Sequence, residues 1–215
     1  MKKTLSLLLA LLMLVSCVLA MVSCKKSAIY ELAANSAPTV IVTAVDYIDA
    51  DGTQLIGDYT MSIEGDNSIF EFLYQRYRLP EDGVADDTYE MIKEKKGTIY
   101  YKDGAYSTDG DEYEAEAPTA IQLRFNLDKD YLKDVSISED DTVLTAKISP
   151  ENAKHVLGTD LKAGGDISIT VKTNGVNLTM VFVECVAVNG ATVSIRTSYS
   201  YNSVNLEFPD ELEAE

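Results

Sequence analysis

Most of the chain beyond residue 38 repeats hydrophobic and polar positions with period two, which predicts strands rather than helices. Leu55, Gly57, Tyr59, Met61 and Ile63 alternate with Ile56, Asp58, Thr60, Ser62 and Glu64, the pattern of a strand with one buried face. Residues 40–48 before it and 69–79 after it are rich in β-branched and aromatic residues, and Gly65-Asp66-Asn67 turns the second run into the third. Gly97-Thr98-Ile99-Tyr100-Tyr101 predicts a further strand, which Asp103-Gly104 turns into residues 105–108. The clearest stretch is C-terminal. Residues 166–173, 176–188 and 191–200 are strand-like and are divided by Asn174-Gly175 and Asn189-Gly190, the strongest short hairpin signal. The middle run is apolar on both faces. Met180, Phe182, Val186 and Val188 lie on one, and Val181, Val183, Cys185 and Ala187 on the other, so it requires cover on both.

Helical pattern is sparse. Residues 25–37 read as a polar linker with a short helix around 29–34. Residues 87–96 fit a second short helix after an acidic loop, and Ile121, Phe125, Leu127, Tyr131 and Leu132 share a helical face over 118–133. The best-marked helix is 150–157, with Ser149 as N-cap, Pro150 in the first helical position, Glu151 in the first turn and Gly158 past the end.

The N-terminus sets the compartment. Lys2 and Lys3 precede a run without charge from Thr4 to Ser23, which has the layout of a secretory signal. The run also approaches the length of a membrane span, so a transmembrane anchor is the competing reading. Met21-Val22-Ser23-Cys24 and Leu14-Val15-Ser16-Cys17 both resemble the lipobox of bacterial lipoproteins, in which the cysteine receives a diacylglycerol and the peptide is cut just before it. Cys17 is the better four-residue match. Context favours Cys24, because Lys25-Lys26-Ser27 follows it at once, whereas cleavage at Cys17 would leave five more apolar residues on the mature terminus. The resemblance implies acyl chains on Cys24, a durable membrane anchor, and a domain outside the cytoplasmic membrane, with a Gram-positive character to the leader.

Removing Lys2 and Lys3 with the signal leaves 16 of the 18 Lys and Arg against all 35 Asp and Glu, a net charge near −19. Such a surface repels nucleic acid. With Cys24 lipidated, Cys185 is the one thiol left, so no internal disulfide forms and the domain rests on its core. Cys185 sits in an apolar run and reads as a core residue rather than a nucleophile. His155, the only histidine, reads as an exposed helical side chain. No nucleophile elbow, zinc-binding His pair or phosphate loop is present, so neither a catalytic residue nor a metal or other cofactor is expected. Residues 46–52 and 109–112 hold enough carboxylates for calcium, but neither completes an EF-hand loop, and acidic hairpin loops explain both more simply.

About ten strands in meander order, two helical interruptions and a lipobox resemble the half-barrel family of the lipoprotein carrier LolA and the mycobacterial lipoprotein LprG. The resemblance covers roughly residues 28–209 and is carried by Thr98-Ile99-Tyr100-Tyr101-Lys102-Asp103-Gly104-Ala105-Tyr106 and by the closing run from Tyr199 through Val204-Asn205-Leu206 to Pro209. It implies an α+β, mainly β fold: a strongly curved antiparallel sheet of about ten strands wrapping two or three short helices, with a hydrophobic cavity that can hold lipid. The chain then divides into a signal (1–23), lipidated Cys24 with its linker (24–37), the β-rich domain (38–210) and an acidic tail (211–215). The expected function is non-enzymatic binding or carriage of a lipid or other hydrophobic ligand, with Met180, Val181, Phe182 and Val183 as candidate wall residues. The rival expectation is an envelope scaffold or sensor that binds a protein partner through loops 81–96 and 109–118.

Overall fold

A computed structural model describes residues 28–49, 53–78, 90–109, 126–158 and 161–209. Ten strands form one antiparallel sheet: β1 (Val40–Ile48), β2 (Thr53–Glu64), β3 (Asn67–Arg78), β4 (Glu90–Lys102), β5 (Ala105–Asp109), β6 (Leu132–Ile137), β7 (Val143–Ile148), β8 (Ile167–Thr173), β9 (Leu178–Val186) and β10 (Thr192–Ser200). Their order is β5-β4-β3-β2-β1-β10-β9-β8-β7-β6, so the first five strands lead outward in one direction and the last five return from the other edge. The two meanders join where β1 pairs with β10 over its full length, from Val40 opposite Ser200 to Ile48 opposite Thr192. The sheet does not close, and the architecture is half-barrel-like. Both edge strands are short, and β6 carries a register shift between Lys133 and Ser136, with Asp134 at φ +49°. Short, irregular edges discourage pairing with other chains.

The tight turns follow the glycines. Gly65, Asp103-Gly104, Gly175 and Gly190 take positive φ where the chain reverses, a conformation that glycine adopts without steric cost. Asn67 Oδ1 also accepts from the Asp103 amide at 3.0 Å, tying the β2–β3 turn to the β4–β5 turn.

The core lies on one face of the sheet, here the inner face. Ala146, Ile169, Val183, Ile195, Val45 and Gly57 form one continuous row across β7, β8, β9, β10, β1 and β2. Leu144, Val171, Val181, Thr197, Thr43 and Tyr59 form the next. Two helices cover the C-terminal half of this face. Helix α1 (Ala28–Asn35) packs on β8 and β9 through Ile29, which is 0 % exposed, and Ala33. Helix α2 (Ala153–Leu157) buries Ala153, Val156 and Leu157.

Four local expectations are corrected. The short helix expected around 29–34 is present as α1, but Ile29 makes it part of the core rather than of a linker. Residues 90–96 are the first part of β4, not helix. Pairing with β3 along its length outweighs the local pattern, and Gln75 Nε2 donates to Glu94 Oε2 at 2.7 Å across that pair. Within 118–133, residues 126–128 are extended, Lys129–Tyr131 is a 3₁₀ turn and Leu132 opens β6; Ile121 and Phe125 lie outside the described residues. The 176–188 run shortens to nine residues in β9, with Val176 in the preceding turn and Val188 in the following one.

The marked helix keeps its boundaries. It starts as a 3₁₀ turn at Pro150–Asn152, continues as α2, and ends at Gly158 with φ +73°, whose amide donates to Lys154 O at 3.1 Å.

Candidate functional site

The four candidate wall residues divide between the two faces of β9, as their alternation predicts. Val181 and Val183 face inward and are 0 % and 1 % exposed, packed in the core beneath the helices. Met180 and Phe182 face outward and are half-buried. Neighbours on a strand point to opposite faces, so four consecutive residues cannot line one pocket. Nor, among the described residues, does the outer face receive a second layer along β9. The Arg196 guanidinium sits 5.6 Å from the Phe182 ring centroid, while Val186 is 56 % exposed. Beside Phe182 and Arg196 lies a shallow outer-face depression of about 260 Å³, also lined by Ala44, Asp46 and Ser194.

The inner face changes character across β1. Over β7–β10 it is largely buried. Over β2–β4 it continues as apolar and aromatic rows that are mostly half-buried, and none of the described helices packs on them. Tyr59 stands opposite Phe72 and Met61 opposite Phe70, with Ile99 next in the row on β4. The Tyr59 and Phe70 rings stack at 6.0 Å and 15°, and Phe70 stacks on Phe72 at 6.2 Å and 28°. Gly57 permits this. A Cβ on Gly57 would come within 2.7 Å of Tyr59 Oη and 2.8 Å of its ring carbon, so only glycine lets Tyr59 lie flat along the strand. The result is a broad aromatic shelf, and such flat rings suit contact with apolar or cyclic ligand surfaces.

Tyr199 lies in the same inner row as Ile41, Met61, Phe70 and Ile99, at the edge of the half that the described helices cover. Its hydroxyl is buried and has no hydrogen-bond partner among the described residues. Burial, and secondarily the neighbouring Tyr201, push this phenol far above its ordinary range, so it is a neutral donor. Tyr201 is satisfied, since its hydroxyl donates to Leu178 O at 2.8 Å.

The remaining candidates fall outside this shelf. Cys185 is free and 8 % exposed, and burial raises its thiol pKa, which makes it inert. His155 is exposed on α2 with its ring stacked on Tyr131 at 5.0 Å and 5°. Among the described residues no group of three His, Cys, Asp or Glu side chains converges as a metal site. The acidic segments 50–52 and 110–112, Cys17 and Cys24 lie outside the described residues. Among the described residues no helix is long and apolar enough to cross a membrane.

The alternation of Leu55, Gly57, Tyr59, Met61 and Ile63 marks the shelf in the sequence, and Phe70, Phe72 and Tyr74 repeat it one strand later. What the pattern lacks is any sign that the helices stop short of these strands. No protein-family model matches the chain, and no curated protein is detectably similar to it.

Proposed function

We propose that this chain is a lipid-anchored extracytoplasmic protein that binds a hydrophobic or amphipathic ligand on the inner face of β2–β4, without catalysing a reaction on it. The observation that carries this reading is the aromatic shelf of Tyr59, Phe70 and Phe72, continuous with the core yet not covered by the described helices. A row of that composition gains free energy by removing apolar surface from water, at roughly 25 cal/mol per Å². Val181 and Val183 serve the core, and the proposed ligand contacts lie on the opposite meander.

Anchoring enters through Cys24. Helix α1 begins at Ala28, so an anchor on Cys24 lies four residues before the first described residue of the domain. The domain then works at the outer face of the cytoplasmic membrane, next to a supply of lipid. The half-barrel resemblance supports the same reading.

Native mass spectrometry of residues 25–215, followed by organic extraction, tests it. A co-purified lipid-sized mass, lost on Phe72→Ser, supports the reading. A clean apo mass that stays unchanged after incubation with membrane extract ends it and favours a protein-binding scaffold.

A further inference from the structure

The charged residues of β1–β4 are sorted by face. The register places Arg76 and Arg78 of β3 and Lys93 and Lys95 of β4 on the inner face, and it places no Asp or Glu of β1, β2 or β3 there. At the end of β4, Glu90 pairs with Arg78. Asp46, Asp58, Glu64, Glu71 and Glu94 all take outer positions in the same strands. In a chain of formal net charge −17, an inner face of this sign runs against the average.

The sorting also has a local cost. Arg76 stands directly opposite Lys93, and like charges directly opposite one another destabilise a sheet. An anion held between them would relieve that repulsion.

Four successive inner rows of β3 and β4 grade from charged to apolar: Arg76 with Lys93, Tyr74 with Lys95, Phe72 with Gly97, and Phe70 with Ile99. Six residues separate the first row from the last, about 20 Å at ~3.3 Å per residue. The cations therefore end where the aromatic shelf begins. We propose that this face binds a single lipid molecule with an anionic headgroup, the headgroup held by Arg76 and Lys93 and the acyl chain lying along Phe72 and Ile99. The inference rests on the proposed function and adds the headgroup chemistry. A lone molecule fits better than a bilayer surface, because α1 and α2 stand on the other half of the same face.

The test uses the full-length chain purified from membranes in a non-ionic detergent. Dioleoyl phosphatidylglycerol or dioleoyl phosphatidylcholine is titrated in from mixed micelles, with bound lipid counted by native mass spectrometry. The anionic lipid is expected to bind at least tenfold more tightly than the zwitterionic one. Lys93→Glu is expected to weaken the anionic lipid at least tenfold, whereas Lys96→Glu, on the outer face of the same strand, shifts it less than twofold. Arg76→Glu serves as the second variant. It places opposite charges across from one another and so favours the fold, and its loss of binding cannot be ascribed to unfolding. Equal binding of the two lipids, or equal losses in K93E and K96E, overturns the headgroup assignment and leaves the shelf standing. Binding of neither lipid by the parent chain removes the proposed function as well.

Discussion

Replacing Ile29 by alanine tests whether the domain begins at α1 or only at β1. Ile29 is completely buried against β8 and β9 and belongs to the main core. The substitution removes three carbons, about 2.4 kcal/mol at ~0.8 kcal/mol each, and the cavity left behind brings the expected cost to about 3–4 kcal/mol. A domain of this size shifts its Tm by roughly 2–4 °C per kcal/mol, so a fall of roughly 6–16 °C is expected. Urea unfolding of residues 25–215, followed by far-UV circular dichroism and tyrosine fluorescence, reads the difference directly. Glu31→Ala, at an exposed position on the same helix, is the control and is expected to stay within about 0.5 kcal/mol. If Ile29→Ala also lies within about 0.5 kcal/mol of the parent, α1 does not dock, and the helical cover of the inner face is wrong.

Other outcomes follow from single features. Tyr199→Phe is expected to stabilise the fold by about 1 kcal/mol in thermal melts at neutral pH, because the buried hydroxyl has no partner among the described residues; a loss of stability would show that it has one. The folded phenol is held above the ordinary value, so its share of the stability is full below about pH 10 and is lost as pH rises beyond it. Melts between pH 9 and pH 11 at about half-unit steps are expected to show this fall in the parent and a shallower one in Y199F. Gly158→Ala forces a Cβ into the left-handed region and is expected to cost about 1 kcal/mol in urea unfolding. Cys24→Ser is expected to abolish lipid labelling and release the chain from membranes, while Cys17→Ser leaves both unchanged; the reverse result would move the anchor.

Much of the fold was legible because its information is local. Asn174-Gly175, Asn189-Gly190 and Asp103-Gly104 mark hairpins through the positive φ that tight turns demand, and all three turn where expected. Strands β1, β2, β8 and β10 fall within a few residues of their predicted spans, since one-sided burial writes itself as alternation. The failures have one cause. Residues 90–96 carry Met91-Ile92 beside Lys95-Lys96, a mixture that suits a helix until β3 offers it a full ladder of hydrogen bonds. Ile29 looked like part of a linker because two buried positions in an eight-residue helix make too weak a stripe to separate docked from solvated.

The candidate site shows the same division. Alternation sorted Met180 and Phe182 from Val181 and Val183, and it sorted Tyr59, Met61, Phe70 and Phe72 onto one face of their strands. It could not say which face the helices cover or how far that cover extends. Those facts depend on β1 pairing with β10 across about 150 residues of chain, which sets the two meanders side by side and leaves the helices over one of them. The sequence by itself determined the strands, their turns and the two faces of each, because hydrogen-bonded turns and period-two burial act between near neighbours. Only the tertiary structure decided which part of those faces the described helices cover, because that depends on contacts between segments whose separation in the chain leaves no periodic trace.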